Sequence, residues 1–202
     1  MSTTIPQSRD AGATPASPPG KRFGWLKAVL IAGVAGMAVF LGVVAVQPDD
    51  YRIERSATFN APATVVFDTV NNFHNWEAWS PWAKLDPNAK NTFEGPDSGE
   101  GAIFKWDGND QVGAGQLTIL ESRPNELIRM KLEFFRPMED SCITQFSLDP
   151  QGAQTEVRWS MLGTHPSFVS KAFCFVMNID KMVGTDFEKG LANMKVVVER
   201  TL

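Results

Sequence analysis

The chain has 202 residues, 43% of them hydrophobic, with two cysteines, two histidines and a formal net charge of −4. From Pro48 onward 22 acidic residues stand against 15 basic ones with no basic stripe, a poor match for nucleic acid or anionic headgroups. With an amino-terminal tail and an apolar run set aside, the remainder is long enough for one domain with a substantial core.

Residues 1–24 read as a disordered cytoplasmic tail, because Ser, Thr, Pro, Ala and Gly dominate it and no apolar periodicity is present. Residues 28–46 then carry no charge and almost no polarity. As a helix such a run spans roughly 28 Å, close to the hydrocarbon thickness of a bilayer. With Trp25 as an interfacial aromatic, residues 25–47 are expected to form a membrane anchor. A cleaved secretory signal is the alternative, but its core is usually shorter, about 7–15 residues, and Gln47-Pro48 is a poor setting for a cut. A buried core helix is disfavoured by Gly33, Gly36 and Gly42 in a run apolar on every face. Ala28, Ala32 and Gly36 follow a small-xxx-small spacing that would permit a homodimer through this segment. Arg9, Lys21, Arg22 and Lys27 precede the run, and only Arg52 and Arg55 lie close behind it. The expectation is a single-pass cell-membrane protein, amino terminus cytoplasmic and carboxyl-terminal domain extracytoplasmic.

Residues 48–202 are read as the domain. Residues 51–59 alternate as a strand, and Asn60-Ala-Pro62 sets up a short helix carrying Val65, Val66, Phe67 and Val70. A second short helix and a turn follow, with Trp76, Trp79 and Trp82 spaced three apart. Strands are then expected over 91–94, 102–106, 115–122, 127–135, 141–148 and 155–162, joined by tight turns, with a bulge at Gly113-Ala-Gly115. The cleanest places Ile128, Met130, Leu132 and Phe134 on one face against Arg129, Lys131 and Glu133. Residues 166–177 form a dense apolar cluster read as a helix at one end of the sheet, either capping the core or forming a lip beside a cavity mouth. From Ile179 to Val198 the apolar period becomes 3.6, the mark of a long helix whose stripe needs a sheet to cover.

A strand, two short helices, six strands and a long closing helix is the order of an α+β helix-grip fold, an antiparallel sheet of about seven strands on a carboxyl-terminal helix. Tyr51-Arg-Ile-Glu-Arg-Ser, Asn60-Ala-Pro62, Trp76-x-x-Trp79-Ser-Pro-Trp82, Gly113-x-Gly115-Gln, Thr155-Glu-Val-Arg-Trp159-Ser-Met161 and Asp186-Phe-Glu-Lys-Gly-Leu191 carry a resemblance. The chain resembles the SRPBCC (START-like) superfamily, within it the polyketide cyclase/dehydrase and lipid-transport group. The resemblance implies a deep apolar cavity between the sheet and the last helix.

On such a fold, inward side chains at the middle of the sheet are candidates to line a cavity. They are Trp106, Met130, Leu132, Thr144, Trp159, Met161, Phe187 and Leu191, with Thr144 or Ser160 as a polar contact. Core packing is the competing reading of the same residues, and Trp79 and Trp82 are read as wedging the early helices against the sheet edge. No catalytic set converges. His74 and His165 have no metal-ligand spacing, Glu121 and Asp140 are scattered, and Cys142 and Cys174 read as buried rather than paired. No cofactor or metal is expected. The function expected is a membrane-tethered, non-catalytic binding domain for a small hydrophobic molecule or lipid. The alternatives are a cyclase/dehydrase-type enzyme acting on a hydrophobic substrate and a co-chaperone-like protein-interaction module.

Overall fold

The computed structural model describes residues 22–165 and 167–201, so most of the expected tail and Pro166 lie outside the described residues. Two compact units divide between Val43 and Val44. Helix α1, Arg22–Val46, accounts for the described part of the first and begins inside the stretch read as tail. Its segment Gly24–Val46 has a mean hydropathy of 2.7 and is long and apolar enough to cross a membrane. Leu30, Ile31 and Val34 are exposed, and a side chain added at Gly33, Gly36 or Gly42 would meet nothing, which is not how a core helix is built.

The second unit opens with β1, Asp50–Phe59, then α2, Ala63–Asn71, and a 3₁₀ helix, Phe73–Ala78. Six strands follow: β2 Lys90–Glu94, β3 Ile103–Asp107, β4 Ala114–Arg123, β5 Leu127–Arg136, β6 Asp140–Gln151 and β7 Gln154–Thr164. Helices α3, Phe168–Met177, and α4, Ile179–Arg200, close the chain. The seven strands make a single antiparallel sheet in the order β1-β7-β6-β5-β4-β3-β2. Alternation builds it. On β5, Ile128, Met130 and Leu132 are buried, whereas Arg129 is exposed and Lys131 and Glu133 stay partly exposed and pair with each other. The expected bulge is present as a register shift between Ala114 and Gly115, and a second lies between Ile119 and Glu121. Each adds twist to β4.

This strand order imposes a crossing. β1 and β2 are consecutive along the chain but lie on opposite edges, so residues 60–89 must traverse the whole sheet. They do so on the inner face, where α2 packs on β5, β6 and β7 and meets α4. α4 lies along the β1 side of that face, burying Phe187, Leu191, Met194 and Val198. Arg55 of β1 fastens it: Nε donates to Glu188 at 2.8 Å, and Nη2 reaches the Asp180 carboxylate at 3.2 Å. Gly184 makes room, since a β-carbon there would fall 2.0 Å from the Arg55 guanidinium. Asn178 separates α3 from α4 by adopting a left-handed conformation with φ 49°, while its side chain caps α4 by accepting from Lys181 N.

Because the stripe on α4 is the lid of the core, Phe187→Ala or Leu191→Ala should cost about 2–5 kcal/mol. Lys189→Ala, on the exposed side, should cost less than ~0.5 kcal/mol. Urea titration of the full chain in detergent, followed by tryptophan fluorescence, should separate the two classes. Equal midpoints would show that α4 is not docked through this stripe.

Candidate ligand-binding site

The crossing segment fills the middle of the inner face with aromatic rings. Trp79 packs edge-on to Phe146 of β6 and Trp159 of β7, at ring centroid distances of 6.0 and 5.8 Å. Trp82 meets Trp159 and Phe187 edge-on. Trp159 is held on both faces, stacked on Phe187 at 4.0 Å and 6° and on Phe146 at 4.7 Å and 26°. Such contacts contribute roughly 0.5–1.5 kcal/mol each beyond area burial. Gly190 of α4 permits the approach, because a β-carbon there would lie 2.7 Å from the Trp159 ring and 3.2 Å from Pro81. The tryptophans therefore do not wedge the early helices against a sheet edge. β6 and β7 are interior strands, and the topology delivers the indoles onto them.

Consequently the eight expected lining residues divide. Met130 and Phe187 are 0% exposed, Trp159 and Leu191 2%, and Thr144 3%, which leaves no water-sized space against them. These five are floor, not lining: rings from the crossing segment occupy the volume that an empty grip would leave. Thr144 is committed as well. Its hydroxyl accepts from Trp159 Nε1 at 2.9 Å and donates to the Ser160 carbonyl at 3.2 Å. Ser160 is buried, but strand alternation puts its side chain on the face opposite Trp159 and Met161. Buried indole N–H groups normally find acceptors, as Trp76 does at Val70 O. Trp79 Nε1 is buried without a partner among the described residues.

Of the other three, Trp106 is only partly buried and falls at one end of the inner face, whereas Leu132 and Met161 are buried, 8% and 9% exposed, at the margin of the floor. The register defines that end as a row across the sheet: Tyr51 opposite Gly163, then Cys142 opposite Leu132, Leu132 opposite Leu117, and Leu117 opposite Phe104. Trp106 and Phe134 flank Gly115 one step further out, edge to face at 6.0 Å. On α4, Ile179 and Val183 remain partly exposed here, whereas Phe187, Leu191 and Met194 further along are sealed. Burial thus falls steadily from the aromatic floor towards the amino-terminal end of α4.

Tyr51 and Cys142 are the titratable groups of this end that sequence reasoning did not place in a site. Burial, then the neighbouring Cys142 and Asp140, holds the Tyr51 phenol well above its usual range. Burial pushes the Cys142 thiol up to about 12, and Asp140 adds to the effect. Both groups are therefore neutral near pH 7, and hydroxyl and thiol hydrogen-bond each other in an apolar wall. A signal existed for Tyr51: its strand partner is Gly163, and a β-carbon there would lie 2.4 Å from the tyrosine oxygen. An aromatic opposite a glycine marks a ring laid across the partner strand.

The other candidates lie elsewhere. His74 is exposed, stacked on Phe93 at 4.1 Å, with Nδ1 3.0 Å from Asn72 Oδ1, beside a cleft of about 150 Å³ that also includes Glu94 and Asp97. His165 packs against Tyr51 at 5.1 Å. Glu121 is paired with Arg123 and Arg129 on the sheet surface, and Asp140 is exposed. Among the described residues no group of three His, Cys, Asp or Glu could hold a metal ion, and both cysteines are free.

Comparison with known proteins places the fold. The family model described as polyketide cyclase / dehydrase and lipid transport matches residues 50–199. Protein MLL2253 of Mesorhizobium loti is similar in structure at 15% identity and TM-score 0.56, over 75% of this chain and 99% of that one. Protein Mll3558 of Rhizobium loti is similar at 15% identity and TM-score 0.53, over 71% and 96%. The Aha1 dimer of Colwellia psychrerythraea is similar at 17% identity and TM-score 0.51, over 74% and 96%. At these identities the likeness is one of fold. No curated protein matches the chain by sequence.

Proposed function

Because the chain belongs to the polyketide cyclase/dehydrase and lipid transport family, we propose that it is a membrane-tethered domain that binds a small hydrophobic molecule or lipid without transforming it. One observation carries this reading: the inner face is sealed by the aromatic stack at one end and keeps partly exposed apolar side chains, Trp106, Phe134, Ile179 and Val183, at the other. A ligand site is built from such side chains with a few polar groups for orientation. Tyr51 and Cys142 supply those groups. Both being neutral, they suit holding a hydroxyl or carbonyl of an apolar molecule better than abstracting a proton from it. The tether is α1, and the excess of basic residues before it favours an extracytoplasmic domain.

The enzyme reading runs through Tyr51, the hydroxyl acid at the open end, and the interaction-module reading requires that end to be filled by protein. Native mass spectrometry of the full chain released from detergent separates all three. The binding reading expects a bound apolar molecule of unaltered mass, lost when Met161→Trp or Leu132→Trp fills the end, and retained in Lys189→Ala. Conversion of the added molecule, abolished by Tyr51→Phe, would establish the enzyme. Absence of any adduct would leave the interaction module.

Topology is tested separately. A carboxyl-terminal alkaline phosphatase fusion should be active and a green fluorescent protein fusion dark. The reverse pattern would place the domain in the cytoplasm.

A further inference from the structure

Helix α3 is a formed element without a core to cover. Ser167 caps its start by accepting from Ser170 N, and Asn178 ends it in a left-handed turn. Yet Phe168, Val169, Phe173, Val176 and Met177 are all exposed, Val169 by 76% and Val176 by 65%. The side chain it buries is Lys171, and the partners of that lysine are informative. Nζ donates to the Gln47 carbonyl at 2.8 Å and pairs with the Asp49 carboxylate at 2.5 Å. Gln47 and Asp49 are among the first residues after the apolar helix α1. The core-capping reading of residues 166–177 therefore fails for the described part, because capping side chains would be buried.

The same residues frame the open end of the inner face. The Asp49 carbonyl accepts from His165 N at 2.8 Å, Asp50 pairs with Thr164, and Tyr51, which is partly exposed, comes next. The turn between β5 and β6 adds Met138, 69% exposed, and the thiol of Cys174 of α3 is raised first by burial and then, to a lesser degree, by Asp140 just beyond that turn. Three residues at ~3.3–3.6 Å each hold this rim within about 10 Å of the end of α1.

We propose that α3 lies in the interface of a lipid bilayer, with Phe168, Val169, Phe173 and Val176 in the acyl region, so that the open end of the inner face meets lipid directly. The idea rests on the membrane-tethered binding function above. Its occupant is the bilayer and not a protein partner, because the apolar surface is fixed by chain length at the end of a membrane-length helix. An amphiphile leaving the bilayer at this rim would reach Tyr51 and Met161 without passing through water, and the unfavourable hydration of its chain would be avoided.

The test uses the full chain in phosphatidylcholine nanodiscs in a Cys174→Ser background, with nitroxides attached at Val169→Cys and Val176→Cys. A third label at Ala153→Cys reports the exposed turn between β6 and β7, at the opposite end of the sheet. Collision with oxygen relative to a water-soluble nickel chelate reads depth. The expected ratio is several-fold higher at 169 and 176 than at 153. A ratio at 169 and 176 equal to that at 153 would overturn the proposal, as would a chain that fails to enter nanodiscs. This readout involves no ligand. Lipid immersion of α3 together with a missing adduct would refute the binding function and keep the bilayer seat. An adduct with α3 in water would do the opposite.

Discussion

The indole of Trp159, stacked between Phe146 and Phe187, is the contact on which the rest of the domain depends. It joins the three parts of the fold at one place, since Phe146 and Trp159 belong to the sheet, Phe187 to the closing helix, and Trp79 and Trp82 to the segment that crosses between them. Its N–H is bound by Thr144, so the ring is fixed in rotation as well as position. Close aromatic packing of this kind tolerates little change in volume, and Gly190 shows how little.

That stack also limits where a ligand can sit. A sheet gripping a helix leaves space only where neither the crossing segment nor the helix stripe fills it. Here the deeper half is filled, and accessible surface persists towards the amino terminus of α4. The accessible half is the one next to the carboxyl-terminal end of β7, the residues that follow α1, and α3. The partly exposed apolar side chains and the residues that follow α1 therefore fall at one end of the domain, and the turn between β6 and β7 at the other.

Much of this architecture was legible in the sequence. Ile128, Met130 and Leu132 alternate with charged neighbours, and a period-2 pattern with one dry face admits few alternatives to a strand. The stripe from Ile179 to Val198 is equally plain, because its apolar period changes within a few residues. The site was less legible. Inward position on a strand says that Met130, Thr144 and Trp159 face the helix side, but not whether another segment fills the space in front of them. That depends on the path of residues 60–89, which is a property of sheet order and not of local pattern. Likewise, the apolar density of α3 says nothing about what covers it, and its exposure emerges only when the sheet proves to be closed without it. The Arg55 clamp on Asp180 and Glu188 spans more than a hundred residues and leaves no local trace.

The central claim is that the inner face has a packed floor and an accessible end, and methionine methyl resonances report both. Met130 and Met194 lie in the floor, and Met161 lies at its boundary with the open end. The direct measurement is a methyl spectrum of the full chain in nanodiscs, with labelled methionine, during titration with decanoic acid. The account predicts that the Met161 methyl shifts saturably while Met130 and Met194 do not move. Shifts of equal size at Met130 and Met194, or an unmoved Met161 at saturation, would contradict it.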